Sequence, residues 1–353
     1  MVKILYFVCG VGLGHAGRSQ VIIKELMKKH KVRVVSYGDG YSFLQKDFPK
    51  MDKLDWFEYK YKKNLKIWKL GTLASIAPKV PMTTYKNYRK IMQIWKEFEP
   101  DIVLSDFDYN GLISARLKRT PCILISNLHV IDYIFPKLSA KELAEYLLTD
   151  QRMLKAYQGA DYYMIMSIFK PREIDGNKFF FYPVVTKEII KTKTKDKDYF
   201  LVYFQKNKLP TIIPLLKAMK SHKFIVYGLD ENKKDGNIQF KKFGKWTKDI
   251  AECKGVICHG GQSTLSEAVI LKKPIYVASA KDWFERYHNG FLAEMQGFGV
   301  VEDEATLSGL EEFVHKIPEF KKNLKSKNIK ASNKEFMARM EEKIKELTLN
   351  RAK

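Results

Sequence analysis

The 353 residues contain no run of about eighteen consecutive apolar residues, so no segment is long enough to be read as a membrane-spanning helix. Cysteine is scarce. Cys9, Cys122, Cys253 and Cys258 each fall in or beside a predicted strand, which suits buried free thiols in a reducing compartment and needs neither a disulfide framework nor a zinc site. Acidic residues are in short supply: 40 stand against 63 Lys and Arg, a formal charge of +23. That excess asks for a nucleic acid, an anionic membrane or an acidic substrate, unless a general lysine bias explains it. No zinc-finger spacing or RNA-recognition aromatic pattern accompanies it, so nucleic acid is not an expected partner. The opening apolar run, Ile4 to Val8, breaks at once into Gly10, Gly12 and Gly14. It therefore reads as a first strand and its loop rather than a signal peptide. No short-period repeat occurs.

What is present is a hydrophobic fraction of 45%, ample for two buried cores, and one stretch with a dense signal. In Gly255 to Gly290, the apolar run Val256-Ile257-Cys258 stops at His259-Gly260-Gly261. Gln262-Ser263-Thr264 then opens helical periodicity through Leu265, Ala268, Val269 and Leu271, and Pro274 leads a second strand, Ile275 to Val277. Strand, glycine turn and helix leave backbone N–H groups and a positive helix end at a sheet edge, an arrangement that binds phosphate without a metal. Glu267, early in that helix, can accept hydrogen bonds from a ribose. The stretch reads as a nucleotide-diphosphate site.

The first half opens with the same unit: strand Lys3 to Val8, the loop Gly10-x-Gly12-x-Gly14-His15-x-x-Arg18-Ser19, helix Gln20 to Lys29 and strand Val32 to Ser36. A dinucleotide fingerprint would place its third glycine elsewhere, and His15 occupies the turn. Asp101 to Asp106 reads as a strand ending on a carboxylate, and Pro121 leads strand Cys122 to Ser126, which Asn127 and His129 cap at the same sheet edge. Between them, Tyr59 to Lys96 carries no acid at all. Its lysines are interleaved with Tyr59, Tyr61, Trp68, Tyr85, Tyr88 and Trp95, and Ile91, Ile94, Trp95 and Phe98 form a helical apolar face. Helix is expected over Ser139 to Gln158. The polar segment 187–197 reads as a linker between residues 1–186 and 198–333, with a lysine-rich helix over 334–353.

His259-Gly260-Gly261, the Ser263-Thr264 pair, Glu267, Pro274, then Glu285 and Asn289 together resemble the donor-binding signature of GT-B glycosyltransferases. The likeness extends to both the lipid-II-forming N-acetylglucosaminyltransferases and the UDP-glucuronosyltransferase and glucosyltransferase group. It also takes in the glycine loop with His15 and the Pro100 to Phe107 passage. The resemblance implies an α/β GT-B fold, two Rossmann-like domains whose parallel sheets face each other across a cleft. It implies a UDP-sugar donor held by Phe243, Gly244, His259, Gly260, Gly261, Gln262, Ser263, Glu267, Glu285, Arg286 and Asn289. His15 would be the general base and Asp106, with Asp108 as runner-up, its carboxylate partner. Gly12, Gly14, Arg18 and Ser19 complete the N-terminal loop, with His129 a cleft or acceptor contact. The final helix would cross back to the first domain. No cofactor and no metal ligand are implied.

The expected reaction is an inverting, metal-independent transfer to an acceptor hydroxyl, in which a histidine beside a carboxylate takes the proton. A lipid-linked or glycolipid acceptor would suit Tyr59 to Lys96 as a seat on an anionic membrane. The chain would then be cytoplasmic and peripheral on the inner face of the membrane; the plainer alternative is a solvated basic face over an aromatic core. Arg286 stands where the family pattern has Gln. As a fixed positive fork it predicts an anionic donor sugar such as a uronic acid, or else pairs with Glu285 or a helix end. Two rival functions remain at this point, a UDP-sugar 2-epimerase of the same fold and a non-enzymatic basic protein.

Overall fold

The computed structural model describes residues 1–56, 78–148, 150–174, 176–279 and 284–351. Fourteen strands are present among them: β1 Lys3–Val8, β2 Lys31–Ser36, β3 Asp52–Lys53, β4 Ile102–Asp106, β5 Cys122–Ser126, β6 Tyr162–Met166, β7 Lys178–Phe181, β8 Phe200–Tyr203, β9 Phe224–Tyr227, β10 Lys233–Asp235, β11 Ile238–Phe240, β12 Val256–Cys258, β13 Ile275–Ala278 and β14 Gly299–Glu302. They form two seven-stranded sheets, ordered β3-β2-β1-β4-β5-β6-β7 and β10-β11-β9-β8-β12-β13-β14. Every pairing is parallel except β10 with β11. Central strands such as β1, β4 and β12 are near-continuous apolar runs because helices cover both of their faces.

The helices are α1 Gly14–Leu26, α2 Gly38–Leu44, α3 Val80–Phe98, α4 Tyr109–Leu117, α5 Ala140–Leu148, α6 Asp150–Ala156, α7 Lys187–Lys191, α8 Leu209–Ala218, α9 Trp246–Glu252, α10 Gln262–Ile270, α11 Phe284–Met295, α12 Leu307–His315, α13 Ile317–Lys327 and α14 Asn333–Arg351. The last returns to the first sheet. Its Phe336, Met340 and Ile344 are buried in the same core as Ile4, Tyr6, Ile22 and Phe181, and His30 Nε2 lies 2.9 Å from Glu341.

Several elements depart from the expectations. The first helix begins at Gly14, not Gln20, so His15, Arg18 and Ser19 sit in its first turns; their polarity hid the helix because that face turns toward a buried carboxylate instead of an apolar core. By contrast, α5 and α6 carry the helical structure expected over Ser139 to Gln158. The segment 187–197 holds the short helix α7, capped by Thr186 Oγ1 accepting from the N–H of Ile189. Strands β10 and β14 were not foreseen; β10 is wholly exposed and offers no apolar alternation to read.

All four cysteines are free and buried, and burial pushes the thiols of Cys9, Cys253 and Cys258 up to about 12. Among the described residues no helix is long and apolar enough to cross a membrane. Tyr59, Tyr61 and Trp68 of the acid-free block lie outside the described residues. In its described part, α3 buries Ile91, Ile94 and Trp95, leaves Phe98 half-buried, and exposes Met82, Tyr85 and Tyr88.

Candidate active site

Strand β4 delivers Asp106 to the edge of the first sheet, fully buried, directly under the start of α1. A buried carboxylate persists as an anion only where donors surround it. Here Arg18 gives Nε at 2.9 Å to Oδ2 and Nη2 to Oδ1, Ser19 Oγ donates to Oδ2 at 2.6 Å, and His15 Nδ1 lies 2.9 Å from Oδ1. Burial alone would raise this carboxyl, but the charge and hydrogen bonds of Arg18, followed by those of His15, hold it well below the usual carboxylate range. His15 Nδ1 is also 2.8 Å from Arg18 Nη2. Arg can only donate, so the two contacts require opposite tautomers. A proton on Nδ1 pairs His15 with Asp106 and leaves Nε2 a lone pair. A bare Nδ1 accepts from Arg18 and moves the proton to Nε2.

The second sheet presents its glycine turn to the same place. Gly260 has φ +83°, and a Cβ there would lie 2.4 Å from the carbonyl oxygen of Arg286, so both the left-handed backbone and the close approach require glycine. Asn289 Nδ2 donates to the Gly260 carbonyl at 3.0 Å, tying α11 to the turn. Helix α10 then starts with Gly261 as its N-cap and no side-chain cap, as α1 does after Leu13. Both helix starts therefore keep N–H groups for a ligand. They are joined: Ser263 Oγ donates to the Gly14 carbonyl at 3.1 Å.

Other bonds cross the cleft beside this one. Asn127 Nδ2 donates to Glu285 Oε1 at 2.9 Å, Gln262 Nε2 is 3.5 Å from the Met166 carbonyl, and Gln296 Nε2 donates to the Ile168 carbonyl at 3.0 Å. Below the turn, Tyr203, Tyr227, Phe243 and Trp246 form an aromatic cluster with Phe243 exposed. Gly244 next to it has φ +148°. The Trp246 indole N–H donates to Glu267 Oε2.

Not every expected residue reaches the cleft. His129 is 3% exposed within a 3-10 turn, Leu128–Asp132, where its Nδ1 meets Ser126 Oγ at 2.8 Å and its Nε2 has no hydrogen-bond partner among the described residues. The turn folds the ring inward against Tyr163, away from the position expected of it. Asp108 is also withdrawn: Oδ1 accepts from the Gly111 N–H at 3.0 Å and so caps α4. Asp106 and Asp108 have the spacing of an Asp-x-Asp metal motif, but Phe107 between them takes φ +49° and sends the two carboxylates to separate tasks. Sequence reasoning missed Trp246 as the partner of Glu267, and Asn127 as a bridge. An indole two residues past Gly244 was a signal for the first; nothing local pointed to the second.

The sequence profile of glycosyl transferase family 1 matches residues 2–318. The chain belongs to that family. Among its relatives, a glycosyltransferase of Methanosarcina acetivorans, itself described as uncharacterized, is 23% identical over 333 residues, covering 84% of this chain and 85% of its own. The solved spinosyn forosaminyltransferase SpnP superposes with a TM-score of 0.66 at 14% identity, covering 97% of this glycosyltransferase and 99% of SpnP. VinC, solved in complex with dTDP, gives a TM-score of 0.60 at 12% identity, covering 98% and 99%. These likenesses show the GT-B fold, and the family match shows a glycosyltransferase, which acts on a sugar donor and an acceptor.

In this glycosyltransferase the buried titratable groups beside the two sheets are electrically unlike one another. Burial, reinforced by the charge of Arg286, pulls His259 down to about 3, against the opposing hydrogen bond to the Tyr203 carbonyl at 3.2 Å, so the ring is neutral across the working range. Glu267 moves the other way. Burial raises it from the ordinary 4.5 to about 7, despite the Trp246 hydrogen bond. Asp108 is raised by burial too.

Proposed function

We propose that this glycosyltransferase moves a sugar from a UDP-sugar to an acceptor hydroxyl in one inverting displacement. One observation carries the reading: the helix start bearing His15 over Asp106 is joined, through Ser263 and Gly14, to the uncapped helix start of the glycine turn. The turn and the α10 N-terminus would hold the diphosphate by backbone N–H groups and helix dipole. Neutral His259 would shape the turn and leave the charge to the backbone and to Arg286 behind it. Glu267 would accept from the ribose, exchanging Trp246 for ribose hydroxyls, and Glu285 and Asn289 would lie at the sugar.

His15, in the tautomer with its proton on Nδ1 facing Asp106, takes the acceptor's proton on Nε2. The acceptor oxygen bonds to the anomeric carbon as the bond from that carbon to the diphosphate oxygen breaks. The electron pair of that bond leaves with UDP, and attack from the opposite side inverts the centre. Asp106, itself held by Arg18 and Ser19, keeps the imidazolium oriented until the proton is released. The basic, aromatic stretch from Tyr59 to Lys96 would seat the enzyme on an anionic membrane carrying a lipid-linked acceptor.

The test is a panel of ligands against thermal unfolding, since a ligand of the native state raises the melting temperature. UDP, dTDP, UDP-glucose, UDP-GlcNAc and UDP-glucuronate are compared, dTDP being included because a structural neighbour binds it. UDP and at least one UDP-sugar are expected to stabilise the chain more than dTDP. His15→Ala should then lower turnover by about two to four orders of magnitude with UDP affinity kept. Preference for dTDP would refute the UDP assignment, and full turnover in His15→Ala would refute the base.

A further inference from the structure

Asn127 follows β5 on the first sheet, is 3% exposed, and is hydrogen-bonded on both ends of its amide. Its Oδ1 accepts from Arg18 Nη1 at 3.3 Å, and its Nδ2 donates to Glu285 Oε1 at 2.9 Å, across the cleft. Chemistry fixes this orientation: a guanidinium has only donors and a carboxylate oxygen accepts, so the amide can face them one way round. Arg18 is the group that also grips Asp106 and touches His15. Glu285 is carried by α11, whose Asn289 holds the Gly260 turn. A continuous chain of side chains therefore runs from Ser19 through Asp106, Arg18 and Asn127 to Glu285. The other bonds across the cleft described above end on main-chain carbonyls. This one joins side chains of the two halves of the site.

We propose that Asn127 is a positioning residue, a latch that holds the Arg18–Asp106–His15 group in register with the donor-sugar segment only when Glu285 is seated against the first domain. The proposal rests on the reading of Glu285 as part of the donor-sugar motif and of His15 as the base. In the latched arrangement Arg18 is anchored at both ends, by Asp106 and by Asn127, and cannot swing to satisfy Asp106 alone. When the sheets separate, Asn127 loses Glu285, and Arg18 loses the second anchor that fixes its grip on Asp106, the carboxylate that pairs with His15. Assembly of the base is thus tied to closure over the donor.

The test is a charge swap. UDP release from UDP-glucose and UDP-GlcNAc, with water as acceptor, is measured with UDP affinity by calorimetry. The proteins are the parent, Asn127→Asp, Glu285→Gln and the double variant. Asn127→Asp places a carboxylate against Glu285, and kcat/KM is expected to fall about tenfold to a hundredfold with UDP affinity unchanged. In the double variant the amide and the carboxylate have changed places: Gln at 285 donates to Asp at 127, which still accepts from Arg18. Its kcat/KM should recover to within about threefold of Glu285→Gln alone, a coupling that unrelated sites do not show. Should Asn127→Asp not fold, Asn127→Ser, uncharged but too short to reach both partners, is expected to lower kcat/KM and leave UDP affinity intact. Parent-like kcat/KM in Asn127→Asp, or a double variant no better than the product of the singles, overturns the latch. A parent that neither binds UDP nor releases it from either donor overturns the donor reading, and the latch with it. Rescue by the swap alongside full turnover in His15→Ala would remove the base assignment and overturn the latch as the device that assembles it.

Discussion

Glu267 shows how one side chain can be read in two ionisation states. In the folded chain its carboxyl is raised to about 7 by burial, while an unfolded chain keeps it at the ordinary 4.5. Between those values the folded chain binds the extra proton, so the contribution of this group to stability is complete below pH 4.5 and is lost as pH rises through 7. Glu267→Gln, which can still accept from Trp246, should flatten the melting-temperature profile across that window; an unchanged profile would show that Glu267 does not titrate there. Ribose hydroxyls donate best to the ionised form, so UDP binding to the parent at pH 6 should release protons, visible as a buffer-dependent calorimetric heat. Asp106 has the opposite sense. Its stabilising pairing with Arg18 is present above the ordinary carboxylate range and is lost only as pH falls far below it.

At the scale of elements, the connection between the sheets is anchored by a lysine. Lys273, 2% exposed, donates to the carbonyls of Lys195 and Cys253 and pairs with Asp196 at 3.1 Å, while the N–H groups of Lys195 and Lys197 donate to Ala251 and Glu252. The second half of this connection is therefore part of the second sheet's surface. Lys273→Met keeps the apolar stem and strands the Cys253 carbonyl, and denaturant unfolding should show a loss of about 1–3 kcal/mol. No loss would mean that water replaces the ammonium. Elements of this kind divide what the sequence discloses from what it withholds. Parallel central strands were readable because burial on both faces makes them continuous apolar runs, and the glycine turn because Gly260 is conformationally irreplaceable. His15 and Asp106 were readable as a pair through the family pattern. The hold of Arg18 on Asp106 was not, since an inward polar helix face has no apolar period. Nor was the Asn127–Glu285 bond, whose partners are brought together only by the approach of the two sheets. His129 misled because a polar residue after a strand looks the same whether the turn opens it or folds it in.

On the scale of the whole molecule, the charge of +23 is large for a chain whose proposed donor site needs only one diphosphate's worth of compensation. Helix α3 exposes Met82, Tyr85 and Tyr88 among the exposed Lys79, Lys86, Arg89 and Lys90. Each lysine near an anionic bilayer contributes about 1 kcal/mol, so co-sedimentation with phosphatidylserine vesicles should be strong at low salt and fall as salt rises. Binding indifferent to both lipid charge and salt would remove the membrane reading. The C-terminal helix α14 has a different consequence, one of timing. Phe336, Met340 and Ile344 fill the core of the first sheet, yet the ribosome makes them after every described strand of both sheets. Residues of the second sheet emerge whole before the first sheet can be closed, so the half synthesised first is the half completed last. Nascent chains arrested short of Asn333 should gain protease resistance in the second sheet while the first stays cleavable, and until α14 emerges a chaperone's natural foothold on this enzyme is the open groove awaiting it.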